Sequence, residues 1–214
     1  PANDVGGDLL DYVPLGNERL GVVLGDVAGK GLGAALLMAK LQATLRAAAP
    51  EAEGPGALGA RLNEILLRDG LDNRYATLLY FELEPGSGAV RYLNAGHPPP
   101  CLVRAARRGA PVETGSSVSP PLGMIPGARM IEQRLEASDG DLVLLYSDGL
   151  TEARNEQDEE FGGERLAALL PALSGMDAAR AGERILEAVD RFLAGWRLHD
   201  DLTLVVLSRA RRAV

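Results

Sequence analysis

The sequence predicts an α+β fold with antiparallel sheets, and two observations predict it. Apolar patterns run in the order ββαα, then five or more strands, then αα and a closing strand. Strands gathered between helix pairs belong to α+β chains, whereas parallel sheets alternate strand and helix. The strand-like runs are also short and bounded by turn residues, as hairpins require. With 214 residues, no internal repeat and no low-complexity linker, one domain over residues 1–214 is expected.

Gly6-Gly7 leads into a strand from Asp8 to Pro14, and Gly16-Asn17 turns the chain into a second strand, Leu20–Leu24, in a hairpin that ends at Asp26. Leu32–Ala49 holds strong helix formers and is apolar around most of its circumference, so it should pack on a sheet and a neighbouring helix. Pro50 stops it. Leu58, Leu62, Ile65 and Leu66 mark an amphipathic second helix closed by Gly70. Tyr75–Leu83, Ala89–Asn94 and Pro100–Arg104 read as strands joined at Pro85-Gly86 and Gly96–Pro99. Residues 105–128 are Gly-, Pro- and Ser-rich, a surface excursion with one short strand. Met130–Leu135 and Leu142–Tyr146 flank the Asp139-Gly140 turn. Helical spacing returns at Leu166, Leu169, Leu170 and Leu173, and at Ala181, Ile185, Ala188, Val189 and Phe192, before a final strand, Leu202–Leu207.

The formal charge of −8 argues against a nucleic-acid partner, which would need a basic stripe. No apolar run approaches the roughly 18 residues of a membrane span. A single cysteine, Cys101, excludes an intramolecular disulfide and fits a reducing compartment, so the expected location is the cytoplasm. The chain begins at Pro1 without a methionine, as expected of a piece of a longer protein with an upstream sensor or regulatory domain outside it.

Aspartates recur at the ends of apolar runs. Gly25-Asp26-Val27-Ala28-Gly29-Lys30-Gly31 follows a strand and precedes a helix. Gly6-Gly7-Asp8, Ser147-Asp148-Gly149 and Asp200-Asp201 repeat the arrangement. Carboxylates without His/Cys clusters select hard, oxygen-liking cations such as Mg²⁺ or Mn²⁺. Two such ions roughly 3.5–4 Å apart hold a phosphoryl group and activate water for in-line attack. Taken singly, each acid has a plainer explanation: Asp26 a helix cap, Asp148-Gly149 a turn, Asp200-Asp201 a solvated strand start. Jointly those explanations weaken, because converging carboxylates repel one another unless a cation offsets them.

Other chemistries fit less well. Leu24 and Gly31 break a Walker A pattern. Gly29, Gly31 and Ala34 meet the dinucleotide pattern, but the helix leads to another helix, and Asp26 would face the pyrophosphate. Cys101 has no activating base in view, and no G-x-S-x-G elbow occurs. His97 lies on a loop, where an anchoring role competes with a catalytic one. His199, beside Asp200, is either a support to it or simply exposed.

The ordered set of motifs resembles the SpoIIE/RsbU branch of the metal-dependent (PPM) serine/threonine protein phosphatases. It comprises Val5-Gly6-Gly7-Asp8-x-x-Asp11, Asp26-Val27-x-Gly29-Lys30-Gly31, Asn94-Ala95-Gly96-His97-Pro98-Pro99, Pro121-Leu122-Gly123, Ser147–Ala153, Phe161-Gly162 and Asp200–Leu204. The resemblance implies a β-sandwich of two antiparallel sheets flanked by helices on both faces, with two Mn²⁺ or Mg²⁺ ions at one end. It implies that Asp26 bridges the ions, that the Val27 carbonyl, Asp148 and Asp200 complete the ligands, and that Asp8 is a further acidic ligand. A metal-bound hydroxide would attack phosphoserine or phosphothreonine directly. Lys30, Asn94, His97 and Asp201 are candidates for contact with substrate or for support behind the ligands. The implied substrate is a phosphorylated anti-anti-sigma (STAS) protein in bacterial partner switching, under control of an upstream sensor domain or activating protein. The helices around 32–49 and 57–69 would transmit that signal to Asp26. Leu9 and Leu10 replace an aromatic pair common in the branch, and Ala28 stands where distant relatives carry a histidine proposed as general acid. Alternatives are a non-catalytic binding module of the same fold and a hydrolase of small phosphoesters.

Overall fold

A five-stranded and a four-stranded antiparallel sheet, each with its own helices, make up the chain, so the α+β expectation holds. The computed structural model describes residues 7–29, 31–69, 74–84, 87–105, 112–116 and 119–209. Lys30, Gly70 and the Pro85-Gly86 turn lie outside the described residues. Two compact units divide the chain: Asp4–Pro98 with Ser116–Glu136, and Pro1–Asn3, Pro99–Gly115 and Ala137–Val214.

In the first unit, β1 (Asp8–Pro14) and β2 (Leu20–Val27) form a hairpin. Its turn runs through three left-handed residues, Gly16, Asn17 and Glu18. The sheet continues through β3 (Ala76–Leu83) and β4 (Ala89–Ala95) to β7 (Glu132–Glu136). β1 alternates buried and exposed residues as a one-faced edge strand does, whereas β2 and β3 are buried nearly throughout. Helices α1 (Leu32–Ala48) and α2 (Pro55–Asp69) pack together, α1 on β1 and β2 and α2 on β3 and β4. Pro50 sits at the start of a 3₁₀ turn that closes α1. One difference from expectation concerns the apolar girdle of α1. Leu32 and Leu36, one turn apart, are 74% and 61% exposed, because the packed stripe lies through Leu37, Met38, Leu41 and Leu45.

Asp11 ties α1 to β1. It is only 5% exposed. It accepts from Arg46 Nε at 2.6 Å, again from Arg46 Nη2, and from Gln42 Nε2 at 3.1 Å. The Arg46 hydrogen bond, working against burial, holds the Asp11 carboxyl below the ordinary carboxylate range. A depressed pKa stabilises the fold above the unfolded value of about 3.9, and that contribution is lost as pH falls through the folded value. Asp11→Ala should therefore cost about 1–3 kcal/mol near neutrality. Urea unfolding should show the gap from wild type narrowing as pH drops below about 4.

In the second unit the sheet order is β6 (Glu113–Thr114), β5 (Cys101–Val103), β8 (Leu142–Tyr146) and β9 (Leu204–Ser208). A one-turn helix, α3 (Asp148–Thr151), follows β8, where the sequence suggested only a turn. Helices α4 (Gly162–Leu169) and α5 (Ala178–Leu193) complete the unit. α5 is capped by Asp177, whose side chain accepts from the Arg180 amide, and buries Ala181, Ile185, Val189 and Leu193 on one face. Two strands begin two residues later than their apolar runs suggested: β7 at Glu132, not Met130, and β9 at Leu204, not Leu202.

Candidate active site

Strand register brings Asp8 and Asp26 together. The two residues are directly opposed across the β1–β2 pair, which puts their Cβ atoms about 4.5–5.5 Å apart on the same face. Gly7 makes room beside them, because a Cβ there would lie 2.8 Å from Asp26 Oδ1. Gly31 stands at the N-cap of α1 and no side chain caps the helix, so Asp26 does not serve as a helix cap.

Behind Asp26 stands a layer of polar groups. Thr77 pairs with Asp26 in the β2–β3 register. Its Oγ1 lies 3.5 Å from the Asp26 carbonyl oxygen and 2.9 Å from His97 Nδ1. With the Nδ1–H tautomer, His97 donates to Thr77 and leaves the threonine proton for that carbonyl. Asn94 clamps His97 in turn: its Nδ2 donates to the His97 carbonyl and its Oδ1 accepts from the His97 amide, both at 2.9 Å. Gly96 in this turn has φ 72°, and a Cβ on it would meet Pro121 Cγ at 2.5 Å. Leu122, the next residue, bridges Ala76 through two backbone bonds. Asn94 and His97 are both buried. The bonds above tie His97 to Asn94 on one side and to Thr77 on the other.

The glycine-rich loop after β2 wraps a residue the sequence reading missed. Arg74 Nη1 donates to the Ala28 carbonyl at 3.3 Å, and a Cβ on Gly29 or Gly33 would lie 2.7 or 3.1 Å from its guanidinium. Gly29 is therefore glycine for its φ of 105° and for this close approach.

The second unit holds its own acidic pair. Asp148 begins α3, and its carboxyl is pushed up first by burial and then by the charge of Asp200. Glu152, four residues on and so on the same side of the turn, is raised by burial, then by Asp148, Glu160 and Asp200. It is an acidic neighbour of the pair that the motif contained without a role. Ser147 ties the pair's backbone together. It is fully buried, its Oγ donates to the Asp201 carbonyl at 3.2 Å and accepts from the Thr203 amide at 2.9 Å. The Asp201 amide donates to Asp200 Oδ1 at 3.0 Å. Both backbone groups of Asp201 are thus engaged, its amide with Asp200 and its carbonyl with Ser147. His199 is exposed, and burial pushes the Cys101 thiol up, the opposite of an activated nucleophile.

Among the described residues, no three His, Cys, Asp or Glu side chains form a ready metal cluster. The donors are nevertheless the right kind. Opposed carboxylates, a carbonyl beside them at Val27 and a glycine that leaves space at Asp26 suit a hard divalent cation. No helix among the described residues is long and apolar enough to cross a membrane.

Comparison with known proteins accords with this geometry. The profile of the Stage II sporulation protein E (SpoIIE) family matches residues 16–210. Protein IcfG of Synechocystis is 28% identical over 98% of the chain, which spans 37% of that protein. Phosphoserine phosphatase RsbU of Bacillus subtilis is 25% identical over 98% of the chain, which spans 61% of it. The crystal structure of the RsbU and RsbW domains of Rv1364c from Mycobacterium tuberculosis superposes with a TM-score of 0.78 at 28% identity. That match covers 99% of this chain and 57% of the other. The chain thus spans between about a third and three fifths of these three relatives.

Proposed function

The chain belongs to the SpoIIE family, and we propose that it is a metal-dependent serine/threonine protein phosphatase acting on a phosphorylated regulatory protein. The observation that carries this reading is the β1–β2 register, which opposes Asp8 to Asp26 beside Gly7, where a Cβ would crowd the Asp26 carboxylate. The phosphoserine phosphatase RsbU, similar over nearly the whole chain, supports the same activity. Because the family match runs through both units, we read residues 1–214 as one phosphatase domain.

We assign the cation ligands to Asp8, Asp26 and the Val27 carbonyl, and to Asp148 and Asp200. When bound, Mn²⁺ or Mg²⁺ ions supply charge neutralisation at the phosphoryl group and activation of the attacking water. The chain's own residues prepare for this. Antiparallel pairing aims Asp8 and Asp26 to one side, and Thr77, His97 and Asn94 hold the Asp26 peptide. Ser147 fixes the backbone on either side of the Asp148–Asp200 pair. No side-chain nucleophile is needed, in keeping with the buried Cys101. The substrate that fits the relatives is a phosphorylated STAS-type protein in the cytoplasm, with an upstream sensor domain or activating protein setting the rate.

Hydrolysis of p-nitrophenyl phosphate and of a phosphoserine protein, with Mn²⁺ and with chelator, tests the reading. Manganese-dependent release of phosphate from both is expected. Tight Mn²⁺ binding without turnover on either would instead favour a binding module.

A further inference from the structure

Beyond α5 the chain makes an abrupt turn. Ala194 and Gly195 are both left-handed, at φ 49° and 96°, and the Trp196 amide closes the turn on the Leu193 carbonyl at 2.9 Å. A left-handed alanine costs about 1–2 kcal/mol relative to a right-handed one, and such strain gathers at functional sites. The turn presents the chain's single tryptophan at 48% exposure. Trp196 lines an open cavity of about 540 Å³ with Ala194, Gly195, Arg197, His199 and Glu156. That volume suits a small ligand or a few peptide side chains.

An isolated exposed aromatic is ordinary. Two further features set this one apart. Arg197 is exposed, and its side chain forms no hydrogen bond or ion pair among the described residues. The cavity also lies close to the acids of its own unit, since Asp200 is the fourth residue after Trp196, which bounds their Cα distance at about 14 Å.

We propose that this cavity grips the protein substrate beside its phosphorylated residue, Trp196 receiving an apolar side chain and Arg197 an acidic one. This rests on the phosphatase reading above. The occupant is an extended segment of the phosphoprotein. Such a segment advances about 3.3 Å per residue, so a phosphoserine held near Asp200 places the subsite three to four residues along. Charge orients the segment. A net charge of −8 disfavours acidic partners in general, but Arg197 and His199 supply local cationic and donor groups. Glu156 on the cavity wall excludes a carboxylate from its own side.

The test uses two phosphoserine peptides and p-nitrophenyl phosphate, all with Mn²⁺. One peptide carries leucine and glutamate three and four residues from the phosphoserine on both sides, and the other carries serine at those places. Wild type should prefer the first by about tenfold in kcat/KM, mainly through KM, as expected for Trp and Arg anchors. Trp196→Ala and Arg197→Glu should each remove most of that preference when rates are normalised to p-nitrophenyl phosphate, and Trp196→Phe should keep part of it. Binding is read separately, because the single tryptophan reports it: the leucine peptide should shift Trp196 emission in the slow Asp26→Asn variant. A preference unchanged in both Trp196→Ala and Arg197→Glu, or emission unmoved at saturating peptide, overturns the proposal. If wild type hydrolyses nothing, the phosphatase reading fails instead, and the emission titration alone decides the subsite.

Discussion

Asp26→Asn should lower kcat/KM on p-nitrophenyl phosphate by about a thousandfold, equivalent to about 4 kcal/mol of transition-state stabilisation. The substitution keeps the size of the side chain and removes its charge at the position directly opposite Asp8. A thermal comparison separates a ligand role from a structural one. Opposed like charges on neighbouring strands destabilise by about 0.2–1 kcal/mol. The chelated variant should therefore be at least as stable as chelated wild type. Added Mn²⁺ reverses the order, because an ion that binds only the folded state at a hundred times its Kd contributes about 2.7 kcal/mol. Wild type should gain that stabilisation and Asp26→Asn should lose most of it. If instead the variant is less stable in chelator and still gains fully from Mn²⁺, Asp26 supports the fold and the ligand assignment is wrong.

Much of this arrangement was legible in the sequence, for reasons that differ by element. Alternation over Asp8–Pro14 marks an edge strand because only one face is buried, and the same pattern puts Asp8 on the face opposite Leu9, Asp11 and Val13. The 3.6-residue spacing of α2 and α5 reflects one buried stripe on each. Where local signals end, legibility ends with them. α3 has four residues, too few for a period, and so read as a turn. Arg74 enters the glycine-rich loop from 46 residues away in sequence, and Ser147 reaches Asp201 across 54. Asp11 carried a motif position, but its partners Gln42 and Arg46 lie a helix away. The enclosure of Asn94 at the end of β4 and of His97 in the loop after it had no local signal, because a polar residue carries no sign in sequence of being buried. The aspartates stand out in sequence because each sits at the end of an apolar run, which is a local signal.

Gly149→Ala is expected to weaken Mn²⁺ binding by about 10–100-fold, the range seen when groups that orient metal ligands are disturbed. A Cβ at this position would lie 2.0 Å from the Asp201 carbonyl oxygen, 2.9 Å from its carbon and 3.5 Å from Leu202 Cα. All three are backbone atoms, and the Asp201 carbonyl is also held by Ser147 Oγ. Nothing flexible is available to yield, so either α3 or the Asp200–Leu202 segment must shift. Asp148 lies on one side of that contact and Asp200 on the other, each adjacent in sequence to a clashing residue. Displacement therefore separates the pair whose mutual charge raises the Asp148 carboxyl. Overpacking of this kind costs about 1–3 kcal/mol, which leaves a folded protein to measure. Gly163→Ala serves as the internal control: it too lies in the first turn of a helix, yet a Cβ there meets nothing within 4 Å. That alanine should be neutral or stabilising by up to about 1 kcal/mol through helix propensity. Calorimetric Mn²⁺ titration of both variants decides the matter. Equal, wild-type affinity in the two would mean that the contact between α3 and Asp201 has no part in holding the ligands.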